Sequence, residues 1–322
     1  MPLDLSRALF VATANDISAV PGPLKDRMEI IQIAGYTQEE KVAIAKRHLL
    51  DKSASNAGME VADVTLDEGV IPEIIQGWTR EAGVRDLQRA IGKLYRAAAV
   101  LKARENLTAS LKIEVDDLKT HLGRRKYTED DLELSSMPGI ATGLAWTPTG
   151  GDVLYVETST LPGSGKLTLT GQLGDVMKES ARAALTYVLA HGEQLGIPRE
   201  VLSDRDIHIH VPAGGVPKDG PSAGVTMFTA LASLLSKRPV ASDLAMTGEA
   251  TLRGRVLPVG GIKSKVLAAH RKGLKRVIIP SRNEADLEDL PEQTRREMEF
   301  ILVDDMNDVL ENAFAEPENS VA

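Results

Sequence analysis

One change of pattern constrains the fold of this chain more than anything else in it. Over residues 37–122, apolar residues recur mostly at steps of three and four. Beyond Met137-Pro138-Gly139, short alternating runs mix with apolar helical runs. The polar, charged stretch 123–138 separates the two regimes and reads as a boundary. At 322 residues the chain has room for two packed cores, one on each side of it.

The first half is expected to be a small, mostly α-helical domain. Thr37 with Glu40 has capping-box spacing, and Thr65 with Glu68 repeats it. Val84, Leu87, Ala90, Ile91, Leu94 and Ala98 predict a long helix over 84–104, followed by a strand at 111–115 and a helix near 116–122. The segment Ala8 to Thr13 has the pattern of a short buried strand with few residues before it, so the chain is expected to begin inside a domain.

In the second half, strands are predicted at 153–158, 166–171, 206–211, 256–259, 275–279 and 300–303. Helices are predicted at 173–195, 222–236, 262–272 and 306–313. This is a second, α/β (α+β) domain.

Bulk composition closes off several functions. With no cysteine, thiolate metal sites, disulfides and a cysteine nucleophile are excluded. A net charge of −8 and an aromatic content of 3% argue against a nucleic-acid binder. No run of 18 apolar residues is present, so no membrane span is expected, and the N-terminus lacks the pattern of a signal peptide.

Pro217-Lys218-Asp219-Gly220-Pro221-Ser222-Ala223-Gly224 lies between a predicted strand and a predicted apolar helix. A serine at a helix N-terminus faces unpaired N–H groups and a partial positive charge, which suit a developing oxyanion. The same position suits a plain helix cap, the commoner use of serine. A nucleophilic serine needs a base. None of His48, His121, His191, His208, His210 and His270 stands in a recognisable triad motif. A lysine kept neutral by burial is another candidate. On a helical wheel of 262–270, Lys265 falls inside the arc of Ala268, Ala269, Ile262 and Val266, while Lys263 falls outside it. Such a lysine either reaches out to water or is desolvated as a base.

These residues resemble a known family. Pro217 to Gly224 is similar to the nucleophile motif of Lon proteases. Met246 to Lys265 resembles that family's second block, whose last lysine is the base; Gly143 to Thr147 and Gly171 to Ser180 resemble it as well. The resemblance implies a serine endopeptidase with Ser222 and Lys265 as its dyad. It also implies Thr247 beside the lysine, Asp219 in a loop that moves in or out of the site, and Glu249 in a less defined place. The front of the chain resembles the AAA+ module of the same family, with Asn15 at the sensor-1 position, Arg27 at the arginine finger and Arg85 at sensor 2. The domains implied are 1–36 as the end of the AAA+ core, 37–125 as the helical lid, 126–137 as linker, 138–316 as protease and 317–322 as tail.

No Walker A sequence is present. Pro162-Gly-Ser-Gly-Lys-Leu-Thr168 lacks the first glycine at the required spacing and has Leu167 where Ser or Thr would hold Mg²⁺, so a turn between strands is expected. Peptide cleavage is therefore expected to need no cofactor, with ATP and Mg²⁺ required only by the full-length enzyme. By resemblance the partners are unfolded polypeptides and further copies of the chain in a hexamer, in the bacterial cytoplasm or the mitochondrial matrix. The other reading is a latent or non-catalytic assembly or nucleotide-sensing module. His208 and His210 alternate with apolar residues and share one face. With no third zinc ligand visible in the sequence, a polar lining beside the site is the reading adopted, and no metal is assigned.

Overall fold

The computed structural model describes residues 5–14, 20–31, 35–79, 81, 83–105, 109–127, 137–147, 150–197, 205–212 and 217–314. The chain divides into two compact units, residues 1–34 and 35–322.

The first unit contains a single short helix among its described residues, α1 (Gly22–Lys25). The strand expected at 8–13 does not form. Leu9 is 90% and Phe10 72% exposed. A strand needs a hydrogen-bonding neighbour, and no described residue of this unit supplies one.

The second unit opens with helical structure. α2 (Gln38–Ile44) starts at the predicted capping box: Thr37 Oγ1 accepts from the Glu40 N–H, and Glu40 Oε2 accepts from the Thr37 N–H. A π-turn over Ala45–Leu49 joins it to α3 (Leu50–Asn56). The second expected capping box is not one. Thr65 lies in strand β1 (Val64–Leu66), and α4 (Val70–Gly77) starts after Gly69. The long helix appears as α5 (Arg85–Glu105), and β1 pairs in parallel with β2 (Leu111–Ile113), which precedes α6 (Leu118–Leu122). Ile74, Leu87, Ile91, Leu94, Tyr95 and Leu118 fill a separate core.

Residues beyond 137 build a seven-stranded mixed sheet. β3 (Ile140–Thr147) and β4 (Gly150–Pro162) form an antiparallel hairpin, followed by β5 (Leu167–Thr170) and helix α7 (Asp175–Ala190). β6 (Arg205–His210) is followed by α8 (Gly224–Ser236), β7 (Leu244–Met246) and a small ribbon of β8 (Glu249–Ala250) and β9 (Val256–Leu257). Then come α9 (Ile262–Arg271), β10 (Arg276–Pro280), α10 (Glu292–Glu297), β11 (Glu299–Val303) and α11 (Met306–Ala313). The strand order is β11-β10-β7-β3-β4-β6-β5.

The two faces of this sheet bury different helices. Val156, Ile207, Ile209, Met246 and Ile278 pack with residues of α7 and α8, such as Ala181, Val188, Met227 and Leu231. Leu144, Ala245, Val277 and Ile279 pack with Ile262, Val266 and Ala269 of α9. Alternation along each strand sends neighbours to opposite faces, so β7 and β10 feed both cores. β3 and β7 were not among the predicted strands. β7 has three residues, all buried, and so shows no alternation to read.

Candidate active site

The loop that carries the candidate nucleophile Ser222 meets α8 through a 3₁₀ turn, Pro221–Ala223, entered at Gly220 with φ +139°. Ser222 sits on this turn. Its carbonyl accepts the Gly248 N–H at 3.0 Å, and the Val225 N–H returns to the Gly248 carbonyl at 3.1 Å. The start of α8 is thereby tied to the chain leaving β7. The N–H of Ser222 has no acceptor among the described residues. Orphan donors of this kind are normal in the first turn of a helix and are available to an anion.

Thr247 directly follows β7 and is completely buried. Its N–H donates to the Ile278 carbonyl at 3.1 Å, extending the ladder to β10. Its hydroxyl donates to the Ser222 carbonyl over a long 3.4 Å and accepts from Lys265 Nζ at 3.0 Å. A hydroxyl has one hydrogen; with that hydrogen directed at Ser222, its lone pairs are left for the lysine.

Lys265 lies on α9 and is 2% exposed, which settles the two readings of the helical wheel in favour of burial. Burial alone lowers its pKa to about 8, because an ammonium loses water that the protein does not replace. The close seat of α9 depends on Gly151 of β4, where a Cβ would overlap the Ser264 carbonyl. Ser222 and Lys265 thus arrive from different elements and meet at the Thr247 hydroxyl. No direct hydrogen bond joins their side chains among the described residues.

Asp219 takes a different place. Its Oδ1 accepts from the Met177 N–H at 3.0 Å and the Gly220 N–H at 2.9 Å, and so caps the first turn of α7. The Gly174 N–H donates to the Lys218 carbonyl at 2.7 Å, the Lys218 N–H to the Gln172 carbonyl at 3.0 Å, and Lys218 Nζ to the Gly171 carbonyl at 3.2 Å. A side chain on Gly174 would overlap Asp219. Gly151 and Gly174 are site-shaping residues that sequence reading missed; the only available signal was a glycine in an otherwise well-filled strand or helix start.

Among the described residues, the remaining candidates make no hydrogen bond to this group. His208 and His210, on β6, both bond Thr170 Oγ1, with no hydrogen bond to Ser222, Thr247 or Lys265 among the described residues. Glu249 pairs with Leu257 in the β8–β9 ribbon and has no ion pair among the described residues. His191 stacks on Tyr187 at 4.0 Å and His270 contacts Glu297 at 2.6 Å. Arg85 is the exposed first residue of α5, a helix capped by Glu81 Oε1 on the Leu87 N–H. Arg27 is exposed in the turn after α1, and Asn15 lies outside the described residues.

The turn at Pro162–Thr168 joins β4 to β5, as expected. Asp206 Oδ1 accepts the N–H groups of Ser164 and Lys166, both at 2.8 Å. The carboxyl is held below its usual range, chiefly by these two backbone donors. The donors that a phosphate would need are already committed to the protein's own carboxylate.

A helical lid followed by a mixed sheet with a serine-bearing helix on one face is the fold of a serine endopeptidase of the AAA+ protease type. The family match is more particular. The model of the Lon protease (S16) C-terminal proteolytic domain covers residues 112–316, and that of the Lon protease AAA+ ATPase lid domain covers 55–110. The chain belongs to the Lon protease family. It is 54% identical over 318 residues to Lon protease 4 of Sorangium cellulosum, covering 98% of this chain and 40% of that protein. It is 55% identical over 315 residues to Lon protease of Anaeromyxobacter dehalogenans, covering 97% of this chain and 37% of the relative. With Lon protease 2 of Myxococcus xanthus the identity is 52% over 322 residues, 100% of this chain and 39% of the other. The chain therefore spans about two fifths of the length of these curated relatives.

Proposed function

We propose that this chain cuts peptide bonds with Ser222 as nucleophile and Lys265 as general base. The observation that carries the proposal is the buried Lys265 amine, lowered to a pKa of about 8 and held on the same threonine that touches the nucleophile's residue. A base with that pKa is neutral in a useful fraction near pH 7–8 and can take a proton from a hydroxyl. Ser222 Oγ attacks the scissile carbonyl while Nζ accepts its proton, giving a tetrahedral oxyanion that collapses to the acyl-enzyme as the amine leaves. The Ser222 N–H is the assigned donor to that oxyanion. The ammonium then protonates the leaving amine, and water releases the acyl group by the reverse sequence. Thr247 is a positioning residue, directing the lysine through its hydroxyl.

The substrates proposed are unfolded, damaged or regulatory polypeptides, handled by a homo-oligomer, a hexamer by family resemblance, in the bacterial cytoplasm. ATP and Mg²⁺ are assigned to the full-length enzyme. The Pro162–Thr168 turn does not fit a phosphate, since Asp206 occupies its donors, so no step here runs through nucleotide. Arg85, Arg27 and Asn15 are proposed nucleotide-sensing residues of the longer protein.

The test is cleavage of a fluorogenic unstructured peptide without nucleotide by the parent, Ser222→Ala and Lys265→Ala. The dyad predicts activity in the parent and loss of at least about a thousandfold in each folded variant. Near-normal cleavage by Lys265→Ala would sink the lysine-base mechanism.

A further inference from the structure

Lys265 meets Thr247 only while α9 and the end of β7 keep a fixed spacing, and both are tied to one stretch of chain. The Thr247 N–H donates to the carbonyl of Ile278 on β10. Further along, in the 3₁₀ segment Ser281–Asp289 that follows β10, Asn283 is 6% exposed. Its side chain takes both backbone groups of Val259, in the short connection from β9 to α9. Oδ1 accepts the Val259 N–H and Nδ2 donates to the Val259 carbonyl, each at 3.0 Å. The second hydrogen of Nδ2 goes to Asp286 Oδ2 at 2.6 Å.

An amide suits this place because it carries a donor and an acceptor side by side. A carboxylate has no hydrogen for the Val259 carbonyl, and a hydroxyl cannot span both groups. Asp286 sets the orientation: turned over, the amide would point its oxygen at two acceptors. Local sequence does little to fix where α9 begins. The helix is entered through Gly260 and Gly261, the latter at φ +75° and with no side-chain cap, and glycine constrains the backbone least of all residues. Val259 packs on the core that holds Ile262 and Val266 of α9. A clamp on Val259 is therefore carried into the first turn of the helix, which Lys265 closes by donating its N–H to the Gly261 carbonyl at 3.0 Å.

We propose that Asn283 is a positioning residue for Lys265: by clamping Val259 it holds the first turn of α9 at the spacing from β10 that brings Nζ onto the Thr247 hydroxyl. Both ends of the Lys265–Thr247 contact are thereby referred to one strand and its continuation, Thr247 through Ile278 and Lys265 through Asn283. No charged side chain contributes to the lowered pKa of Lys265, which comes from burial alone, so its titration reports how closely α9 is seated. The kinetic consequence rests on the reading of Lys265 as general base; the geometric one does not.

Carbon NMR of the whole chain labelled at lysine Cε tests this, with Lys265 assigned by the signal that Lys265→Met removes. In the parent, the Lys265 signal should titrate at about 8. In Asn283→Ala the midpoint should rise by about one pH unit or more, as water reaches the amine. In the same variant kcat on an unstructured peptide should fall about ten- to a hundredfold, with a smaller change in KM. Asp286→Ala, an exposed change that leaves the amide in place, should move both readings in the same direction and by less. Asp243→Ala removes the paired contact with Arg276 at the other end of β10 and should leave both readings where they are, which separates the clamp from general loosening of the strand. The titration decides the clamp even where the parent cuts no peptide, a result that would sink the base reading alone. A Lys265 midpoint unmoved in folded Asn283→Ala would overturn the proposal; should that variant not fold, an unmoved midpoint in Asp286→Ala would do so. An equal movement in Asp243→Ala would overturn it as well.

Discussion

Two glycine-rich loops of this protein look alike in sequence and differ in what they do with their backbone donors. Pro162–Thr168 gathers two N–H groups around Asp206, a carboxylate of the same domain. In the loop at 217–224, Asp219 turns away to the first turn of α7, and the Ser222 N–H is left without an acceptor among the described residues. The lesson is that a loop rich in glycine and lysine offers anion binding only where the chain has not already supplied the anion. The first loop is closed by its own charge; the second retains a donor for chemistry.

The sharpest way to test this contrast is at Lys265, the base proposed to serve the open loop. Lys265→Met should reduce peptide cleavage by at least about a thousandfold. The same change should raise stability. The folded-state pKa of about 8 lies below the ordinary 10.5, so the folded state disfavours the ammonium. That cost is fully present below about pH 8 and fades as pH rises towards 10.5. Urea unfolding should find Lys265→Met more stable by roughly 3 kcal/mol at pH 7, with the gap closing near pH 10.5. By the same titration, parental kcat/KM should rise with pH through an apparent pKa of about 8.

A smaller effect is expected from moving the base rather than removing it. Gly151→Ala puts a methyl group on the Ser264 carbonyl and displaces α9. Cleavage should fall about ten- to a hundredfold, as expected for a misplacement near 1 Å, with about 1–3 kcal/mol lost in a denaturant titration.

Asp219→Ala and Asp206→Ala compare the two loops directly. Loss of the α7 cap should cost about 1 kcal/mol in urea unfolding, and in steady-state assays should lower kcat more than it changes KM. Asp206→Ala should leave cleavage unchanged and lower the melting temperature at pH 7. Because the Asp206 carboxyl is held below its usual range, its stabilisation is present above the ordinary carboxyl pKa of about 3.9. It is lost as pH falls through the lower folded value, so parent and variant should converge in acid. A melting-temperature difference that persists at pH 2 would show that the Asp206 contacts act by shape and not by charge.

Much of this architecture was legible from local pattern. The Thr37–Glu40 box, the periodic run that became α5 and the placement of Lys265 on an apolar arc all depend on spacing within one element. Failures arose where the deciding contact is remote. Thr65 and Glu68 have capping-box spacing, yet Thr65 pairs with Lys112, far along the chain. Ala8 to Thr13 has strand composition and no strand neighbour among the described residues of its unit. The site followed the same rule. Ser222, Lys265 and Thr247 could be named from motif resemblance, but no sequence spacing revealed that Gly151 admits α9 or that Asp219 caps α7.

The helices on the two faces of the sheet have a further consequence. Ser222 belongs to the layer of α8, and Lys265 to the layer of α9, with Thr247 at the end of the interior strand β7 between them. On the proposed mechanism, the separation of Ser222 and Lys265 therefore works as a caliper on the thickness of the sandwich. Any force that slides or spreads one layer against the other, even far from Ser222, is read out at once as a change in proton-transfer distance.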